Sequence, residues 1–82
     1  MTMVLVAGAD VALVADALDR AGEDGGVIVL DRSADRLAKL ELSLQDARVW
    51  YLIGDAEVVP LPDGSVDVAL GASSEDVERV VR

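Results

Sequence analysis

Short apolar runs alternate along this chain with stretches of helical spacing. Residues 3–7 read Met-Val-Leu-Val-Ala and stop at Gly8, a continuous apolar run of the kind that makes a strand buried on both faces. Asp10 then stands where a helix N-cap belongs. In the segment that follows, Val11, Val14, Ala15, Leu18 and Ala21 recur at helical spacing, with Asp16, Asp19 and Arg20 on the other side. Gly22 ends that helix. Gly25-Gly26 makes a turn, and residues 27–30 form a second buried strand that closes at Asp31. Ser33 is a second N-cap with Asp35 in the first turn, and Leu37, Leu40 and Leu44 set one face of a helix running to Gln45. Residues 48–53, with Val49, Trp50, Tyr51 and Leu52, have the aromatic and β-branched composition of a third strand. Trp50 and Tyr51 face opposite sides of it, one toward the core and the other toward a helix or a subunit contact.

Residues 54–65 hold both prolines and leave room for one helical turn at 56–59 at most. Residues 66–70 form a fourth strand. Ser73, with Asp76 three positions on, opens a last helix carrying Val77, Val80 and Val81.

This order predicts an α/β domain spanning residues 1–82 as one unit. Short turns between alternating strands and helices require right-handed crossovers and a parallel sheet. The expected architecture is a small open sheet of four strands in the order 3-2-1-4 with helices packed on it, a Rossmann-like half domain. A ligand crevice in such a sheet opens at the carboxyl ends of the strands, beside the switch between strands 1 and 4. Residues 8–10, Asp31, residues 54–57 and residues 71–73 then share one rim.

Composition narrows the chemistry. The chain has no Cys and no His, which excludes disulfides, thiol nucleophiles, imidazole bases and zinc sites of the usual ligand types. Sixteen acidic residues against seven basic ones give a net charge of −9, so the phosphates of nucleic acid and anionic membrane surfaces are poor partners. Hydrophobic residues make up 52%, yet no apolar run approaches the ~18–20 residues that span a bilayer. The apolar start of the chain lacks a basic flank and meets Asp10 too early for a secretory signal, so a cytoplasmic location is expected.

Two segments carry a family resemblance. Gly54-Asp55-Ala56-Glu57 and Leu61-Pro62-Asp63-Gly64-Ser65-Val66-Asp67-Val68-Ala69-Leu70 resemble the third and fourth sequence blocks of class I S-adenosylmethionine-dependent methyltransferases. The likeness to the first half of that domain extends over nearly the whole chain. It implies a cofactor-binding set of Gly8, Asp31, Asp55 and Ala56 for S-adenosylmethionine. Gly8 corresponds to the first glycine of the family's G-x-G-x-G turn, Asp31 to the acidic residue that accepts both ribose hydroxyls, and Asp55 with the Ala56 N–H to the adenine contacts. A carboxylate suits the ribose position because it is an acceptor only and can take two hydroxyls at once. Each residue also has a plainer reading: Asp31 as a strand-end partner of Arg32 or a cap for the second helix, Asp55 as a turn former after glycine. Asp67 is read as mainly structural.

The chain departs from the family's first block. The acidic position before the turn falls on Val6, and the second and third glycines fall on Asp10 and Ala12. A carboxylate at Asp10 caps the first helix and opposes the carboxylate of the cofactor's amino-acid tail. The resemblance therefore implies weak cofactor binding, no catalytic residue is assigned, and no metal is expected. Two functions follow: a non-catalytic binding or oligomerising module on a degenerate cofactor scaffold, or a minimal methyltransferase completed by a dimer mate or partner chain. A homodimer joined through the fourth strand's edge or the terminal helix is the expected assembly, because that strand lacks a following neighbour.

Overall fold

The computed structural model describes residues 1–82. Its elements are β1 (Met3–Ala7), α1 (Val11–Ala21), β2 (Gly26–Asp31), α2 (Ala34–Leu44), β3 (Val49–Ile53), β4 (Val68–Gly71) and α3 (Glu75–Val80). The four strands are parallel and lie in the order β3-β2-β1-β4, as the alternating pattern predicts. No helix is long and apolar enough to cross a membrane.

Strand alternation splits the core in two. Val4, Val6, Val27, Val29 and Val49 face α1 and α2, where they meet Val14, Ala17, Ala21, Leu37 and Leu40. Leu5 and Leu30 face the other way, into a cluster with Val59, Val66, Val77 and Val80. Tyr51 packs on the first side, while Trp50, on the opposite side of β3, is 54% exposed.

Four local details differ from the pattern reading. The buried stripe of α1 runs through Val14, Ala17 and Ala21, and Val11 and Ala15 are exposed; the small side chains at 17 and 21 are the ones turned to the sheet. Residues 56–59 form no helical turn: the chain reverses there through a bridge between Asp55 and Val58. Ser74, not Ser73, caps α3, accepting the Val77 N–H at 3.0 Å.

The fourth concerns the start of β4. Val66 donates to the Val80 carbonyl at 2.9 Å and accepts from the Arg82 N–H at 2.9 Å, so it bridges in parallel to Val81 and the ladder to β1 starts two residues later, at Val68. The edge of β4 is thus closed at its beginning by the chain leaving α3. In a parallel strand successive residues point their backbone groups to opposite sides. Asp67 donates to Met3 on β1, so Val68 and Leu70 carry the backbone groups left on the open edge.

Candidate functional site

Three backbone hydrogen bonds hold the strand ends level. The Gly8 N–H donates to Leu30 O at 2.8 Å, the Gly54 N–H to Asp31 O at 3.0 Å and the Ala72 N–H to Ala7 O at 3.1 Å. Each lies where a strand gives way to a loop, so the loops diverge from one line and leave a cleft. The cleft is about 350 Å³ and is walled by Gly8, Asp31, Arg32, Asp55, Ala56 and Ala72 among others. That is the small end of the ~300–1,000 Å³ range of ligand pockets, a size that suits a nucleoside.

All four residues expected to bind a cofactor line this cleft. Gly8 has φ +129°, a conformation L side chains rarely adopt, and the space a Cβ would fill is open, so a ligand can approach its backbone closely. The Asp31 carboxylate spans two loops: Oδ1 accepts the Ala9 N–H at 3.2 Å and Oδ2 the Ser33 N–H at 2.9 Å. Each oxygen keeps a further lone-pair direction, so the carboxylate is oriented by the backbone and still able to accept.

Arg32 does not pair with Asp31. Its guanidinium reaches Asp55 at 3.6 Å from across the cleft, on exposed side chains. Sequence reasoning missed this residue as part of the wall, because adjacency to Asp31 suggested a local pair, and only the parallel β2–β3 register brings residues 32 and 55 together. Asp55 uses its other oxygen on the Glu57 N–H at 2.9 Å, an Asx-type turn. Beside it the Ala56 N–H donates to nothing within the chain.

Asp10 sits apart from that wall. Its Oδ1 accepts the Ala12 N–H at 2.9 Å and the Leu13 N–H at 3.2 Å, consuming two of the free donors that open α1. Asp67 is structural: one oxygen accepts the Met3 N–H at 2.7 Å and the other meets Arg82 at 3.3 Å.

The profile of the methyltransferase domain family matches residues 5–81. The chain belongs to this family. Among solved structures, this methyltransferase domain is similar to an S-adenosylmethionine-dependent methyltransferase from Aquifex aeolicus, with TM-score 0.75 and 23% identity over 99% of this chain and 51% of that one. It is similar to the YcgJ protein of Bacillus subtilis, with TM-score 0.72 and 22% identity over 99% of this chain and 40% of the other. A putative methyltransferase from Bacillus halodurans aligns over 82% of this chain and 29% of its own, at TM-score 0.67 and 24% identity. Among curated proteins none matches. The methyltransferase domain described here spans about half the length of the Aquifex structure and less of the other two, so these likenesses establish its fold.

Proposed function

We propose that the chain is a binding module that holds the nucleoside part of S-adenosylmethionine weakly at the strand carboxyl ends and does not catalyse methyl transfer alone. The observation that carries this reading is the contrast within one rim. Gly8, Asp31 and Ala56 offer an open approach, an oriented acceptor and a free donor. Asp10, where the family pattern has glycine, fills the mouth of α1 with a carboxylate. The nucleoside fits the first set, and the carboxylate of the amino-acid tail does not fit the second. S-adenosylmethionine would supply an electrophilic methyl group, but methyl transfer also needs an acceptor held against it in a water-free pocket, and this cleft of about 350 Å³ is open to solvent.

Titration with S-adenosylmethionine and S-adenosylhomocysteine tests this. Binding weaker than micromolar, reduced a further ~10- to 150-fold by Asp31→Ala, is the expected result, since a hydrogen bond to a charged group contributes about 1.5–3 kcal/mol. An unchanged affinity in Asp31→Ala removes the ribose assignment, and no binding up to millimolar removes the module's ligand.

A second reading is a domain whose site is completed by another chain. We propose a second copy as that chain. The β4 edge at Val68 and Leu70 supports it, together with the depression of about 390 Å³ beside it that runs from Val68 to Val77 and Val81. The charge of −9 should make the contact tighten with salt. A monomeric mass of 8.6 kDa by sedimentation equilibrium at high micromolar concentration, in both low and moderate salt, excludes it.

A further inference from the structure

One wall of the cleft is not self-supporting. Residues 55–59 leave β3 without helical structure, and α3, the last element of the chain, holds them. The Ser74 hydroxyl donates to the Ala56 carbonyl at 2.6 Å while accepting the Val77 N–H at 3.0 Å, so one oxygen both caps α3 and grips the turn. The peptide between Ala56 and Glu57 is thereby pinned at both ends, its carbonyl by Ser74 and its N–H by Asp55 Oδ1 at 2.9 Å. Two residues further along α3, Asp76 Oδ2 accepts the Val59 N–H. Arg79 completes the clamp by donating to Val59 O at 2.9 Å and Leu61 O at 2.9 Å.

These bonds act on the part of the cleft that presents Asp55 and the unpaired Ala56 N–H. We infer that Ser74 is a positioning residue for the ligand, a latch through which the start of α3 fixes the Asp55–Ala56 wall. The inference rests on the nucleoside-binding reading above. Because a ligand that contacts Asp55 and Ala56 then favours the latched wall, binding and latching support each other, as linkage requires.

The two roles of the Ser74 hydroxyl can be separated. Ser74→Asp keeps an acceptor for the Val77 N–H and a preferred N-cap, but cannot donate to Ala56 O and places negative charge against it. Ser74→Thr keeps both roles. For the isolated chain titrated with S-adenosylhomocysteine, Ser74→Asp should weaken binding about fivefold or more, the net worth of one hydrogen bond, while hydrogen exchange at the Val77 and Glu78 amides stays protected. Ser74→Thr should restore the affinity of the starting protein. Equal affinity in Ser74→Asp and the starting protein overturns the latch.

If the starting protein itself fails to bind S-adenosylhomocysteine, the nucleoside reading falls and the latch is decided without ligand. Exchange at the Glu57 and Val58 amides then rises in Ser74→Asp and returns to the starting rate in Ser74→Thr, and unchanged exchange in Ser74→Asp overturns it. Should Ser74→Asp unfold, Ser74→Gly, a tolerated cap that lacks the donor, gives the same affinity and Glu57 and Val58 exchange readouts with the same two outcomes, the Val77 amide being left out because glycine also lacks its acceptor.

Discussion

On one face of the sheet, two eleven-residue helices lay Val14, Ala17, Ala21, Leu37 and Leu40 over a row of valines. On the other, a six-residue helix contributes Val77 and Val80, and the rest of the cover is a proline-containing loop that supplies Val59 and Val66. The first face is held by apolar area, which needs only the right spacing. The second has too little helix to bury its share and is held by polar bonds. The five N–H groups of Arg79 go to Asp76 at both oxygens, Asp63, Leu61 O and Val59 O. A guanidinium suits this task because its donors form a rigid fork already aimed at several acceptors. The candidate cleft draws a wall from the second face, so its geometry depends on the polar clamp rather than on the core.

Truncation at each face separates the two modes. Leu40→Ala, which hollows the α2 side, should cost about 2–5 kcal/mol, comparable to the ~3–5 kcal/mol available to a domain of this size. Denaturant titration should find that variant largely unfolded at rest. Arg79→Met keeps much of the aliphatic stem and removes the donors. It should leave a folded chain in which exchange at the Gly64 and Val66 amides, both bonded to carbonyls of α3, accelerates roughly tenfold as a local opening. Global unfolding of Arg79→Met would mean that the two faces are one cooperative unit. Acid sharpens the same contrast. The Arg79 guanidinium and the Val59 N–H hold the Asp76 carboxyl below its usual value of 3.8. Because its folded pKa is depressed, the stability it contributes is present above the unfolded value and is lost as pH falls through the folded one. Asp46, held down to about 2 by hydrogen bonds from Arg48, follows the same sign in the α2–β3 connection and is untouched by the variant. Arg79→Met should therefore flatten, without abolishing, the fall in denaturation midpoint below pH 4.

The same division explains what could be read from the residues in order. Parallel strand order follows from alternation of elements, and the apolar runs at 3–7 and 27–30 marked the central strands. Gly8, Asp31, Asp55 and Ala56 share a rim because a parallel sheet brings its carboxyl ends together whatever the loops contain. The clamp was not legible. Arg79 bonds to Leu61 O and Val59 O, 18 and 20 positions earlier, through carbonyl oxygens that carry no side-chain signature. Choosing Ser73 over Ser74 as the cap was a one-residue ambiguity between identical side chains, settled by which hydroxyl meets Ala56. The open edge expected along residues 66–70 was shortened for a related reason: Val81 and Arg82 follow α3 in extended form and return beside Val66.

The smallest change in stability should accompany a change of opposite sign in binding, at the start of α1. Asp10 caps α1 through a single oxygen, Oδ1, which takes both the Ala12 and Leu13 N–H groups, so the helix start offers a ligand charge where an unblocked one offers donors. Asp10→Gly keeps a tolerated cap and should cost only a few tenths of a kcal/mol. It frees two N–H groups and removes a repulsion of about 1 kcal/mol for charges ~4 Å apart in water. S-adenosylmethionine should then bind about fivefold tighter to Asp10→Gly at low salt, with the gain shrinking as salt screens the charge. Adenosine, which lacks the amino-acid tail, should gain nothing. Calorimetric titration of both ligands against both proteins measures the difference. Equal gains for the two ligands would mean that Asp10 acts by filling space and not by charge, and a loss for S-adenosylmethionine would place its tail away from α1 altogether.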